Sequence, residues 1–124
     1  MKVTKISDVK PEDKSAETLF TGGNVTMQFL TGTGIPDKMK EPEPLSALVV
    51  NFSPGARTKF HTHTNPQILY VLEGNGIVAT EKEEIKVTPG TLILIPPGEN
   101  HWHGATEDSA FSHISITTPG KTIW

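Results

Sequence analysis

Apolar and polar positions alternate in short runs along most of this chain, and glycine, proline or asparagine interrupts each run. The runs are Val25–Leu30, Ala47–Phe52, Thr58–His63, Gln67–Glu73, Ile77–Thr80, Glu84–Val87, Thr91–Ile95, Trp102–Thr106 and Ala110–Thr117. A period of two places alternate side chains on opposite faces of a strand. The breaks fall at Pro54-Gly55, Asn65-Pro66, Gly74-Asn75-Gly76, Pro89-Gly90 and Pro96-Pro97-Gly98. Evenly spaced short strands and turns predict an all-β sandwich or barrel. No window long enough for a substantial helix carries apolar residues at helical spacing. Thr31–Pro44, rich in glycine and proline and mixed in charge, reads as an exposed connection. Gly74-Asn75-Gly76 reads as a tight reversal between two strands. Pro96 and Pro97 lack ladder donors, so the strand before them must end. Phe20, Phe29, Phe52 and Leu92 are expected in the sandwich or in an interface.

Two stretches carry candidate chemistry. In the first, His61 and His63 stand two apart, so an extended backbone projects both imidazoles from one face, and Gln67 follows a short Thr-Asn-Pro break. In the second, His101 follows the Pro-Pro-Gly turn. Three imidazoles and one amide oxygen suit a borderline divalent metal such as Mn, Fe, Ni, Cu or Zn. Gln67 offers only a neutral carbonyl oxygen, so this donor set leaves the full charge of the ion in the pocket. If Gln67 faces away, a three-histidine site remains.

Composition narrows the function classes. The chain has 124 residues, which fits a single domain over 1–124 with a real core. Lys+Arg 11 against Asp+Glu 14 gives a net charge of -3 without a basic run, which argues against nucleic acid and anionic membranes as partners. With no cysteine there is no disulfide, thiolate ligand or cysteine nucleophile. The first residues lack the apolar core of a signal peptide, and no apolar run approaches the roughly 20 residues of a bilayer span. A cytoplasmic protein is expected.

The two motifs resemble those of the cupin superfamily. The first cupin motif, G-x5-H-x-H-x3,4-E-x6-G, is matched at residues 55–74 by Gly55, His61, His63 and Gly74, with Gln67 in place of the acid. The second, G-x5-P-x-G-x2-H-x3-N, is matched at residues 90–105 by Gly90, Pro96, Gly98 and His101, with Ala105 where asparagine is usual. This resemblance implies a double-stranded β-helix, a jelly-roll barrel closing around one divalent metal. Carried over residue by residue, the ligands are His61, His63, Gln67 and His101. It also implies a homodimer, for which the edge of Val25–Leu30 offers a pairing strand.

Further runs, Pro54–His63, His101-Trp-His-Gly-Ala-Thr and Ser112-His-Ile-Ser-Ile, are similar to small bacterial cupins that include manganese-dependent hydroxynitrile lyases. Manganese is therefore the first metal to expect, with Fe, Ni, Zn or Cu as alternatives. His113 matches an additional histidine of that group and shares a strand face with Phe111 and Ser115. If that face points inward, His113 can act beside the metal as a general base or acid; otherwise it is a packing or solvent-facing residue.

His103 reads as an outer partner of the site or a packing residue, Trp102 as packing, and Lys59 as a solvated rim residue. Glu81-Lys-Glu-Glu reads as a solvated hairpin end. The leading function is a metal-dependent lyase acting on a small α-hydroxy or carbonyl compound. The alternatives are an Fe- or Cu-dependent dioxygenase and a non-catalytic metal or small-molecule binding domain; regulatory cupins usually carry an attached DNA-binding unit, for which little room is expected here.

Overall fold

Alternation in the sequence becomes two opposed strand faces in the structure. A computed structural model describes residues 3–31 and 45–124. Past one 3-10 turn, Ile6–Asp8, the described residues form β1 (Glu12–Asp13), β2 (Phe20–Thr21), β3 (Val25–Phe29), β4 (Ser46–Phe52), β5 (Arg57–Thr58), β6 (Thr62–His63) and β7 (Gln67–Gly74). There follow β8 (Gly76–Thr80), β9 (Glu84–Val87), β10 (Leu92–Ile95), β11 (His101–Ala105), β12 (Phe111–Thr117) and β13 (Thr122–Ile123). They make a six-stranded sheet in the order β1-β3-β4-β12-β7-β10, a five-stranded sheet in the order β2-β5-β11-β8-β9, and the small pair β13-β6. The pairs are antiparallel, and no helix longer than that single turn occurs among the described residues. This is the jelly roll expected from the sequence.

The inward faces pack into one core of Phe20, Val25, Val50, Phe52, Ala56, Val71, Val87, Ala105 and Phe111. Phe52 is its pivot. Its ring stacks on Phe111 at a centroid distance of 6.0 Å and meets the edge of Phe20 at 6.2 Å. The same ring touches His103 at 6.0 Å and His113 at 5.7 Å, so the apolar core forms the floor of the histidine cluster. Losing such a phenylalanine to alanine costs about 3–5 kcal/mol. On β12, Phe111, His113 and Ser115 face inward while Ile114 and Ile116 face outward. The register of β12 against β7 shifts between Ser112 and His113, a local irregularity that sets the aim of the histidine.

Several expectations change. Thr58–His63 is not one strand: the ladder breaks after Thr58 and resumes at Thr62, with His61 held in an isolated bridge to His101. Gly74-Asn75-Gly76 is not a hairpin turn, because β7 and β8 belong to different sheets. It is the corner where the chain crosses the sandwich. Gly74 takes φ +76° there, and a Cβ on it would collide with the Ala110 carbonyl. The Val25–Leu30 segment is not a free edge, since β1 pairs with Thr26 and Met27 and the Gln28 side chain bonds the Ile6 and Val9 carbonyls. Phe20 and Phe52 are buried in the sandwich and Phe29 partly so; Leu92, 59% exposed on the outer face of β10, lies outside the sandwich, which leaves the interface part of its expectation open. The connection expected over Thr31–Pro44 lies, beyond Thr31, outside the described residues.

Candidate metal centre

The break before β6 turns His61 toward His101, and the Pro96-Pro97-Gly98 turn delivers His101 to the same place. Gly98, at φ +78°, donates its backbone N–H to the His63 carbonyl at 2.9 Å, which ties the two motifs together. The ring nitrogens available on His61, His63 and His101 lie within 4.8 Å of one another. Centroid distances are 4.9 Å for His61–His63, 4.2 Å for His61–His101 and 5.3 Å for His63–His101. His61 and His101 are buried; His63 is half-buried.

Each of the three rings is held by its Nδ1 atom. His61 Nδ1 bonds the Lys59 carbonyl and His101 Nδ1 the Glu99 carbonyl, both at 2.8 Å, while His63 Nδ1 bonds Thr122 Oγ1 at 3.0 Å. A neutral imidazole that donates from Nδ1 keeps a lone pair on Nε2. His63 Nε2 and His101 Nε2 are buried and have no hydrogen-bond partner. Buried polar atoms are rarely left in that condition without a ligand to meet them.

Gln67 completes the set. Its Nε2 donates to Ser115 Oγ at 2.8 Å, which fixes the amide so that Oε1 is the free atom, and that oxygen too is buried and unpartnered. Gln67 lies beside His63, close enough to favour the charged ring slightly, though no hydrogen bond of ordinary geometry joins them. Lone pairs on two buried Nε2 atoms and one amide oxygen, with His61 alongside, are a donor set that fits a divalent cation. Three histidines here can form a metal site of the kind typical of cupins.

Burial keeps every ring neutral. It pushes His61 down to about 4, with the neighbouring His101 and His63 adding to the shift against the Lys59 carbonyl. Burial likewise lowers His63 and His101, and lowers His103 well below the ordinary range, with His113 next in effect. Neutral imidazoles are the form that binds a cation.

Behind the triad lies a second pair. His103 shares the inward face of β11 with His101 but stands outside the triad. Its Nδ1 is 3.1 Å from His113 Nε2, and both rings are buried. His113 is pushed down to about 4 by burial, partly offset by the Ile114 backbone beside it, which closes no hydrogen bond. His113 Nδ1 is therefore buried and unbonded.

A cavity of about 190 Å³ joins these groups. Its wall is apolar along Leu19, Phe20, Met27, Leu48 and Val50, and polar along His61, His63, Gln67, His103, His113 and Ser115. His101 belongs to the triad without lining this space. A dry cavity of roughly 150 Å³ accepts a benzene ring, so a small aryl or alkyl compound fits here.

The remaining candidates fall away from the chemistry. Lys59 is exposed between the end of β5 and the bend at Phe60; only its carbonyl serves the site. Trp102 packs on the outer face of β11, buried beneath the Arg57 guanidinium 3.6 Å above its ring. Glu81-Lys-Glu is an exposed turn between β8 and β9, and Glu84 opens β9. Sequence reasoning missed Ser115 and Thr122 as partners of Gln67 and His63. Ser115 was legible as an inward residue of β12, whereas Thr122 carried no signal.

The Cupin domain family model matches residues 48–117, more than half of the chain. The chain belongs to the cupin family. It is 37% identical to the (R)-mandelonitrile lyase of Granulicella tundricola over 98 residues, 76% of this chain and 75% of that protein. Acireductone dioxygenase of Exiguobacterium sibiricum is 31% identical over 83 residues, 61% of this chain but only 44% of its own length. Among solved structures, a cupin-like protein from Thermotoga maritima superposes with a TM-score of 0.74 at 34% identity, covering 85% of this chain and 77% of that one. A polyketide cyclase from Streptomyces resistomycificus gives 0.78 at 23% identity over 100% and 86%, a likeness of the barrel alone. The cupin resemblance read from the two motifs is thus a family membership, and the protein is related to a hydroxynitrile lyase.

Proposed function

We propose that this cupin is a metal-dependent lyase of the hydroxynitrile lyase kind, cleaving a small cyanohydrin into a carbonyl compound and hydrogen cyanide. One observation carries the reading: unpartnered, buried Nε2 atoms of His63 and His101 and Oε1 of Gln67 gather beside a small cavity that also reaches His113. The likeness to a mandelonitrile lyase over three-quarters of both chains supports it.

His61, His63, Gln67 and His101 would hold the divalent cation, manganese first among the candidates. Bound there, the cation supplies Lewis acidity toward a hydroxyl or carbonyl oxygen, undiminished by any charged ligand. The apolar wall of Met27, Leu48 and Val50 seats the organic group and excludes water. His113, neutral at pH 7, takes the hydroxyl proton on Nδ1. As the C–O bond becomes a carbonyl, the C–C bond to the nitrile breaks and its electron pair leaves with cyanide. The proton on His113 then passes to cyanide. The balance is redox-neutral, so no oxygen is consumed.

A dioxygenase is the second reading, supported by the likeness to acireductone dioxygenase and by three histidines in one cluster. Both are tested on metal-loaded protein with mandelonitrile under anaerobic and aerated conditions. Benzaldehyde release without oxygen is the expected result. Turnover of an enediol or similar substrate with oxygen uptake, and none of mandelonitrile, would replace the lyase with the dioxygenase. Tight binding of metal with neither reaction would leave a binding domain.

We also propose a homodimer of this chain. With β3 covered, β10 is an edge strand of the six-stranded sheet, and its outward Leu92 and Leu94 continue the apolar face of β7 at Tyr70, 40% exposed. An apolar face continuous with an unpaired edge fits a second copy of the same strand.

A further inference from the structure

The three triad rings are not held alike. His61 and His101 each donate Nδ1–H to the carbonyl two residues before them, Lys59 and Glu99. Those bonds close within a single loop and form whenever the loop forms. His63 Nδ1 instead shares a hydrogen bond with the Thr122 hydroxyl, 59 residues further along the chain. Its orientation depends on a segment that has to arrive from elsewhere.

That segment is slight. β13 is two residues long and pairs only with β6, placing Thr122 opposite His63 and Ile123 opposite Thr62. Beyond the ladder it is fastened by side chains. Lys121 N–H donates to Thr64 Oγ1 at 2.9 Å, Asn65 Nδ2 donates to the Thr118 carbonyl, and Trp124 Nε1 donates to Thr18 Oγ1 at 3.1 Å. All of these bonds are exposed, so water competes for each. The same segment contributes the exposed rim of the cavity through Thr118, Gly120 and Thr122.

We propose that Thr122 is the positioning residue of His63, and that residues 118–124 form a strap whose docking on β6 both aims the His63 ring and closes the rim of the cavity. The inference rests on the metal reading above and adds a coupling to it. A histidine has a soft terminal torsion and two competent nitrogens. Anchoring Nδ1 on the hydroxyl fixes which way the ring faces and leaves Nε2, buried and unpartnered, as the atom free to ligate; the hydroxyl can accept the Nδ1 proton when Nε2 does so. Outer partners of this kind typically change metal affinity by about 10- to 100-fold. Because His61 and His101 carry their partners with them, strap opening disables one ligand of the set rather than all. By linkage, a cation that binds better with the strap docked must also dock the strap.

The test is a Co²⁺ titration of the metal-stripped protein, followed by the visible ligand-field bands, with amide hydrogen exchange at Thr64 and Lys121 measured with and without Co²⁺. Thr122→Val keeps the shape and removes the hydroxyl; it is expected to weaken Co²⁺ binding about 10-fold or more. It is also expected to lose the Co²⁺-induced protection of Thr64 and Lys121. Thr122→Ser restores the hydroxyl and is expected to restore both. Should Thr122→Val not fold, Thr18→Val, which cuts the Trp124 fastening far from the rings, is expected to weaken Co²⁺ binding in the same direction. Unchanged affinity and protection in Thr122→Val, or in Thr18→Val where that variant decides, with His101→Ala abolishing uptake, would overturn the strap and leave the metal site standing. No Co²⁺ uptake by the parent would overturn both.

Discussion

His103 Nδ1 and His113 Nε2 share one hydrogen bond of 3.1 Å inside the barrel, so a single proton lies between two buried imidazoles. The free nitrogen of the pair, His113 Nδ1, has no partner. If that proton sits on His113 Nε2, His113 Nδ1 is a bare lone pair; if it sits on His103, a buried N–H is left unsatisfied, which is the costlier arrangement. The pair therefore favours a basic Nδ1 on His113. His113→Ala is expected to fold and retain metal while losing about 10²–10⁴ of the oxygen-independent turnover of mandelonitrile. Undiminished turnover in steady-state assays would remove His113 from the chemistry.

Burial of the same ring makes the metal-free barrel acid-sensitive. An unfolded histidine takes up a proton near pH 6.5, whereas His113 in the fold resists it to about 4. Between those values the unfolded state binds more protons, so stability falls as pH falls from 6.5 toward 4. The contribution of His113 across that window is about 3 kcal/mol. Urea unfolding of the metal-free protein at pH 7 and pH 4.5 should show the loss, and His113→Phe should reduce it. Equal dependence on pH in parent and variant would contradict this.

Gln67→Glu exchanges a neutral ligand for a charged one. Ser115 Oγ, which accepts from the amide, can rotate to donate to a carboxylate, so the side chain has no reason to swing away. The variant is expected to lose metal more slowly during dialysis against a chelator, and to turn over more slowly because the cation is partly neutralised. Faster metal loss than the parent would show that Gln67 does not face the cation.

Light scattering should give twice the monomer mass for the parent. Leu94→Lys, placing a charge on the β10 edge where Leu94 is 63% exposed, should give the monomer. A parent that stays monomeric at every concentration would contradict the dimer.

Much of the barrel was legible because its long strands alternate cleanly and end on glycine or proline. Pro96 stops β10 at Ile95 as its missing donor requires, and Glu84–Val87 was read with its observed bounds. What escaped has no periodicity to read. β1, β2 and β13 are two residues each and exist only because a longer strand offers them an edge. The break at Lys59–His61 was hidden because Thr58–His63 alternates as a strand would, while the bridge to His101 is a tertiary contact. The spacing of His61, His63, Gln67 and His101 revealed the candidate ligands. Their partners were not all equally visible: the Lys59 and Glu99 carbonyls are local, but Thr122 meets His63 only after the whole barrel closes.

His61, His63, Gln67 and His101 are expected to hold one divalent cation between them. The most direct measurement is elemental analysis of parent and His101→Ala protein, each loaded with Mn²⁺ and freed of excess in parallel. One equivalent in the folded parent and essentially none in the folded variant is the expected result. A full equivalent in His101→Ala, or no stable metal in the parent with any of Mn²⁺, Fe²⁺, Ni²⁺, Cu²⁺ or Zn²⁺, would contradict the account.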